Sequence, residues 1–176
     1  MKFIELACHP DFKAGPVRKL EAGANVGQKI LRVSYRLEAD LGALRVPPEG
    51  EVARGKELWK HTCFEAFIRT KGEPRYFEFN FASSRAWDAH HFTAYREGDV
   101  MAEAPVTQIN VARGNGVIWL DALVMLDKLP AAVSRPLQLN LSTVIEERSG
   151  AVSYWALKHL PGKPDFHHAD AFALEL

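Results

Sequence analysis

The sequence predicts an all-β fold in which about ten short antiparallel strands form a sandwich or a barrel. Two observations carry this prediction. Segments of alternating apolar and polar residues recur along the chain, with turn-forming residues between them. No window sustains the periodicity of a long amphipathic helix. Because a sheet buries its apolar face most simply against a second sheet, we expect two packed layers of strands.

In the first half of the chain, strands are predicted at 3–8, 30–37, 41–46, 62–70, 76–83 and 87–96. The segment 30–37 is typical of a half-buried strand, because Leu31, Val33 and Tyr35 alternate with polar residues. Two prolines follow the segment 41–46 and end it. Short turns connect the last three segments, which predicts a meander.

In the second half, strands are predicted at 106–112, 117–125, 136–147, 152–157 and 172–176. The first two flank the tetrapeptide Arg-Gly-Asn-Gly, whose Asn115-Gly116 pair favours a tight hairpin turn. Short helical turns are predicted within 126–133 and 56–61. The whole chain, 1–176, is therefore predicted to form a single domain.

The charge balance argues against polyanionic partners. The chain has 22 Lys and Arg and 22 Asp and Glu residues, so it has no net charge to attract nucleic acid or an anionic membrane. No apolar run approaches the roughly 20 residues of a membrane-spanning helix. Glu5, His9 and Pro10 interrupt the amino terminus before a signal-like apolar stretch can form. We therefore expect a soluble cytoplasmic protein with neither nucleic acid nor membrane as a partner.

Metal, cofactor and catalytic motifs have little support in the sequence. The two cysteines, Cys8 and Cys63, are too few for a thiolate metal site and are expected to be reduced. Adjacent histidines on a strand point to opposite faces, so neither His-His pair can chelate one ion without a turn. No nucleophile elbow, phosphate-binding glycine loop or zinc-protease motif is present. We expect no cofactor, no metal and no catalysis.

The segment YFEFNFAS at 76–83 raises the main question about function. Its three phenylalanines line one face of the predicted strand, while Tyr76, Glu78 and Asn80 line the other. In the strand 62–70, Glu65 occupies a face of mixed character. The polar face could be solvated, or it could be the floor of a binding groove. Glu65 could equally form an ion pair with Arg69, Arg32 or Arg36.

Three segments together resemble the DOMON-like ligand-binding family: LWKHTCFEAFI at 58–68, YFEFNFASSRAWDAHHFTAYREG at 76–98 and 140–176. That family is related to the family 9 carbohydrate-binding modules and to the sugar- or haem-binding DOMON domains. The resemblance covers about residues 25–176 and implies a two-sheet, jelly-roll-like β-sandwich. Haem is disfavoured, because neither Met101 nor Met125 stands in the context of an axial ligand.

The resemblance also implies a set of ligand-binding residues. Carbohydrate-binding relatives clamp a sugar between indole faces and hold it with polar side chains from one sheet. Such a site supplies a flat apolar platform and planar polar groups, as sugars require. The implied residues are Trp59 for stacking, Glu65, Glu78 and Asn80 for hydrogen bonding, and Arg96 and Trp155 at the rim. Trp87 and Tyr95 remain alternatives for the second aromatic residue.

The resulting hypothesis is a non-catalytic β-sandwich that binds a small polar ligand, a carbohydrate or a sugar derivative, on one sheet face. One alternative is a protein-interaction domain whose polar sheet face is merely solvated. Another is a sugar-active hydrolase or isomerase, which would need a raised pKa at Glu65 or Glu78. Exposed strands at a sandwich edge could also pair two copies as a homodimer.

Overall fold

Fourteen strands in two sheets make up the structure, a computed structural model that describes residues 1–176. They confirm the predicted all-β sandwich. The strands are β1 Ile4–Glu5, β2 Ala7–Cys8, β3 Val17–Val26, β4 Ile30–Ala39, β5 Ala53–Arg54, β6 Cys63–Thr70, β7 Tyr76–Phe81, β8 Ala86–Ala94, β9 Glu97–Val100, β10 Val106–Gly114, β11 Val117–Met125, β12 Leu137–Glu146, β13 Val152–Ala156 and β14 Leu174–Glu175. Ten of them have four residues or more, which matches the predicted number.

The smaller sheet has five antiparallel strands in the order β1-β3-β4-β11-β10. Its tightest connection joins β10 to β11. There Asn115 and Gly116 have φ values of 51° and 75°, as the predicted hairpin turn requires. The other end of the sheet is the two-residue strand β1, so β10 is its long open edge.

The larger sheet has nine strands, with the path β2-β13-β12-β6-β7-β8-β5. β14 also pairs with β12, and β9 pairs with β8. All pairs are antiparallel except β5 with β8. The consecutive strands β6, β7 and β8 form the predicted meander, with Glu65 opposite Asn80 and Glu78 opposite His90.

The main core lies between the two sheets and follows the predicted alternation. Leu31, Val33, Tyr35 and Leu37 of β4 are fully buried and face it. The three phenylalanines of β7 are also part of this core. Tyr76, Glu78 and Asn80 must therefore point to the opposite, outer face of the larger sheet. The same alternation orients Glu65 of β6 and His90 of β8 outwards.

Two local predictions were wrong. The segment 41–46 is a turn with one isolated bridge, because the Asp40 carboxylate accepts a hydrogen bond from the Gly42 N–H and curls the chain. The segment 3–8 is two strands in different sheets, β1 and β2, so the chain crosses the sandwich there. β3 was not predicted. A Cβ at Gly23 of β3 would lie 2.7 Å from the Lys2 carbonyl oxygen, so glycine admits the close approach of the amino terminus.

A second, smaller hydrophobic cluster covers part of the outer face of the larger sheet. Its members are Phe67, Tyr76, Phe92, Val144, Ala156, Phe166 and Phe172. The last two lie beyond β13, in the segment 157–173 before β14. This segment, which we call the C-terminal cover, therefore shields from solvent a sheet face that would otherwise be open. The helical elements are single turns, at Leu58–Lys60, Leu126–Lys128 and Ala169–Ala171, and no helix has the length and apolar character needed to cross a membrane.

Candidate ligand-binding site

A pocket of about 400 Å³ opens on the outer face of the larger sheet, beside the C-terminal cover. We call it the outer pocket. It is lined by Trp59, Glu65, Glu78, His90, Phe92, Arg96, Val144, Tyr154, Pro164, Phe166 and His167. Strand side chains form its floor, and the C-terminal cover and the turn Leu58–Lys60 contribute to its walls.

The floor is built by neighbouring strands of the meander and by β12. Glu65 of β6 and Glu78 of β7 contribute carboxyl groups, and Val144 of β12 contributes apolar surface. His90 of β8 lies directly across from Glu78 in the sheet. The indole of Trp59 stands edge-on to the His90 ring, with 5.4 Å between the ring centroids. This contact places the Trp59 ring beside the strand floor of the pocket.

The C-terminal cover is fastened to the sheet by polar contacts. Asn140 of β12 donates its side-chain N–H to the Phe166 carbonyl oxygen at 3.0 Å. The Tyr76 hydroxyl lies 2.8 Å from Nδ1 of His167, within hydrogen-bond distance. The rings of Phe67 and His167 meet edge-to-face at 5.1 Å. These contacts place Phe166 and His167 in the pocket wall.

Arg96 lines the pocket, but its charge is already paired. Its guanidinium donates to Oδ1 of Asp165 at 2.9 Å, and the Tyr95 hydroxyl donates to Oδ2 of the same carboxylate at 2.7 Å. Burial opposes ionisation of Asp165, but these hydrogen bonds and one from the His167 backbone outweigh it and lower the pKa of Asp165. The Arg96–Asp165 pair is therefore ionised at neutral pH.

Glu65 has no such compensation. Its side chain lies in the floor of the pocket although the residue is only 3% exposed, and Oε1 has no hydrogen-bond partner. Burial raises the pKa of Glu65 well above its ordinary value, and the negative charge of Glu78 raises it further. Of the two carboxyl groups in the pocket, Glu65 therefore has the stronger tendency to hold a proton.

Glu78 is partly compensated by hydrogen bonding. Burial raises the pKa of Glu78, while the Asn80 side-chain N–H, which donates to Oε1 at 2.7 Å, opposes the rise. Oε2 lies 3.8 Å from Nε2 of His167. Burial and then the nearby Arg96 charge lower the pKa of His167 to about 4. His167 is therefore neutral near pH 7 and gives Glu78 no cationic partner.

Four of the six predicted site residues meet in the outer pocket: Trp59, Glu65, Glu78 and Arg96. Asn80 is fully buried and supports Glu78 from below instead of lining the pocket. The structure does not bring Trp155 to the rim. Its side chain faces the main core and donates to the Ser153 hydroxyl, because alternation in β13 turns Tyr154 outwards in its place.

The sequence did not reveal the second aromatic wall. It consists of Tyr154 and Phe166, whose rings lie 6.2 Å apart. The neighbouring aromatics Tyr154 and Trp155 point to opposite faces, so only the register of β13 could have distinguished them. Phe166 and His167 belong to an irregular segment without a periodic pattern.

The side-chain contacts bear on two alternatives: an ion pair between Glu65 and an arginine, and a metal site. Arg69 donates to the Gln138 side chain and the Ala169 carbonyl oxygen, and Arg32 and Arg36 lie on β4 of the other sheet. Glu65 thus pairs with none of the three arginines considered for it. No group of three or more His, Cys, Asp or Glu side chains is arranged to hold a metal ion.

No protein-family model and no curated protein matches the chain. Among solved structures, it is similar to a protein of Bacteroides uniformis to which carbohydrate binding is provisionally assigned, with a TM-score of 0.69 and 12% identity over 97% of this chain and 83% of that one. It also matches a family 9 carbohydrate-binding module of Caldicellulosiruptor kristjanssonii in complex with glucose, with a TM-score of 0.47 and 9% identity over 82% and 69% of the two chains. The first likeness shows a shared fold.

Proposed function

We propose that this protein binds a small carbohydrate or sugar derivative in the outer pocket and does not transform it. The observation that carries the proposal is Glu65, a buried carboxyl group in the pocket floor whose Oε1 has no hydrogen-bond partner. A buried polar atom without a partner is costly, by about 1 to 3 kcal/mol. A hydroxyl-bearing ligand in the pocket would supply the missing hydrogen bond.

The remaining lining fits the same class of ligand. Trp59 on one side and Tyr154 and Phe166 on the other offer ring surfaces to the apolar C–H face of a sugar. Glu78, supported by Asn80, offers a hydrogen-bond acceptor. The pocket volume of about 400 Å³ falls in the range of small-molecule sites. Membership in the DOMON-like family is part of this proposal, supported by the motif resemblance and by the shared fold.

The test compares two exposed tryptophans on opposite sides of the molecule. Trp59 is 37% exposed and lines the pocket, whereas Trp119 is 41% exposed and lies on β11 of the other sheet. We expect Trp59→Ala to weaken binding of a neutral monosaccharide by about 1 to 3 kcal/mol without lowering the melting temperature. Trp119→Ala should bind like the wild type. Isothermal titration calorimetry against a monosaccharide panel and thermal unfolding measure the two effects.

Two results would contradict the proposal. One is that no monosaccharide in the panel binds the wild-type protein. The other is that Trp59→Ala lowers stability and affinity together, which would make Trp59 a packing residue.

A second candidate function, a sugar-active hydrolase or isomerase, is favoured by one observation. Burial raises the pKa of both Glu65 and Glu78, and a raised carboxyl pKa is what a general acid near neutral pH needs. Product analysis after incubation with disaccharides and aldoses tests this candidate. Turnover that is lost in Glu65→Gln would replace our proposal, whereas binding without turnover would eliminate the enzyme.

A further inference from the structure

Some of the charged groups around the outer pocket form ion pairs, and others do not. The ionisable groups that face it or lie directly behind its lining are Glu65, Cys63, Glu78, Asp88, His90, Arg96, Asp165 and His167. Arg96 and Asp165 pair with each other. Asp88 lies 3.7 Å from the Arg54 guanidinium. These pairs engage both guanidinium groups, although the charges of His90 and Arg96 still oppose the rise in the pKa of Glu78.

Two further neighbours of the glutamates, Cys63 and His167, are neutral near pH 7. Burial, followed by the charges of Glu65 and Glu78, raises the pKa of Cys63 well above its ordinary value, so the thiol keeps its proton. His167 is uncharged near pH 7 because its pKa is lowered to about 4. His90 Nε2 is 3.2 Å from Asp88 Oδ2, although the pair lacks hydrogen-bond geometry, and so His90 faces a different carboxylate.

Aromatic surface surrounds this pair of carboxyl groups. Trp59, Phe92, Tyr154 and Phe166 all line the pocket. Aromatic faces attract a cation through the ring quadrupole, most strongly where water is excluded. Two buried carboxyl groups that form no salt bridge with Lys or Arg, inside an aromatic wall, form a site that suits a positively charged ligand.

We propose that the ligand is an amino sugar whose ammonium group binds between Glu65 and Glu78. This inference rests on the proposed function and names the class of sugar. The ammonium donates hydrogen bonds to both carboxyl groups, and the sugar ring occupies the aromatic walls. A neutral sugar satisfies Glu65 with a hydroxyl but leaves the acidic floor without a counter-charge.

Binding should be coupled to the loss of a proton. Burial and the charge of Glu78 raise the pKa of Glu65 in the free protein, which favours its protonated form, whereas an ammonium beside it favours the carboxylate. The Glu65 O–H bond then breaks, the proton passes to the buffer, and the ligand nitrogen keeps its three protons. Up to one proton is released for each amino sugar bound, and no other covalent bond changes. A neutral sugar should release none.

Calorimetry at pH 7.0 tests this inference with glucosamine, N-acetylglucosamine, glucose and choline as probes. We expect glucosamine to bind about tenfold more tightly than glucose or N-acetylglucosamine, the gain that a charge-assisted hydrogen bond gives over a neutral one. Its binding enthalpy should differ between phosphate and imidazole buffers in proportion to the protons released. The enthalpy for glucose should be the same in both buffers.

Two isosteric variants make the test specific. Glu65→Gln cannot release a proton, so the buffer dependence should disappear, and the preference for glucosamine should shrink because only the Glu78 carboxylate remains beside the ammonium. Glu51→Gln removes a carboxylate from an exposed residue that does not line the pocket, and it should retain both properties. Thermal unfolding of each variant confirms that it is folded before titration.

The outcomes separate this inference from the proposed function. Glucose binding as tight as glucosamine binding, with no buffer dependence, overturns the amino-sugar inference and leaves sugar binding intact. Choline binding without sugar binding overturns both and marks a site for a quaternary ammonium. No binding of any probe also overturns both.

Discussion

The two sheets present outer faces that look alike in sequence and differ in charge compensation. On the five-stranded sheet, Arg36 pairs with Glu21 at 3.2 Å and with Glu38 at 3.0 Å, and Arg32 pairs with Asp121 at 3.1 Å. On the nine-stranded sheet, Glu65 and Glu78 are buried, and neither forms a salt bridge with Lys or Arg. Both faces follow the same alternation of apolar and polar residues.

The difference arises from the C-terminal cover. Charges on an open face can be solvated and paired at little cost, so salt bridges there are weak evidence of function. The cover removes solvent from the face that carries Glu65 and Glu78, and removal of solvent makes each unpaired group costly. Uncompensated burial therefore distinguishes the covered face from the solvated face, which sequence alternation cannot do.

The largest expected effect tests whether the C-terminal cover is truly packed against the sheet. Phe67 is fully buried in the cluster beneath it, with its ring against those of His167 and Phe172. Phe67→Ala should lower the free energy of unfolding by about 3 to 5 kcal/mol through the cavity it leaves. Trp119→Ala on the open face of the other sheet should change it by only about 0.5 kcal/mol. Urea denaturation at neutral pH measures both values.

A small, equal loss in the two variants would break the comparison, because it would mean that the cover does not exclude solvent from the larger sheet. Limited proteolysis provides a second measurement. Cleavage within 157–173 should become faster in Phe67→Ala than in the wild type, since loss of packing frees that segment before the rest unfolds.

Sequence alone was sufficient for the parts of the molecule that depend on local pattern. Alternation placed Glu78 and Asn80 on one face, and the Asn115-Gly116 turn predicted the β10–β11 hairpin. The cover escaped prediction because its position depends on long-range contacts, such as the Asn140 hydrogen bond to the Phe166 carbonyl. Without the cover, neither the pocket nor the burial of its carboxyl groups could be inferred.

The next effect in size concerns the cost of burying Glu65. Because its pKa is raised in the folded protein, the native state binds a proton more tightly than the unfolded state does. Stability therefore falls as pH rises from the ordinary carboxyl value towards the raised pKa. Glu65→Gln mimics the protonated form, so it should be more stable than wild type at pH 8 by about 1 to 3 kcal/mol. The advantage should vanish below pH 4.

Measuring the difference between wild type and Glu65→Gln across this pH range cancels the titration of His167, which is common to both proteins. Glu21→Gln on the open face is the matched control. Its carboxylate accepts hydrogen bonds from Lys19 and Arg36, which lower the pKa of Glu21, so the substitution should not stabilise the protein at pH 8. A destabilised Glu65→Gln at pH 8 would mean that Glu65 is already compensated in the free protein.

The smallest expected effect concerns the open outer face of the five-stranded sheet. Arg32 and Asp121 form an exposed pair across β4 and β11, and Ser34 also donates to the Asp121 carboxylate. A double-mutant cycle with Arg32→Ala and Asp121→Ala should give a coupling energy of about 0.2 to 1 kcal/mol that shrinks in 1 M salt. A coupling above about 2 kcal/mol that is insensitive to salt would show that the open face also excludes water. In that case uncompensated carboxyl groups, and not the depth of burial, would be the only property that separates the two faces.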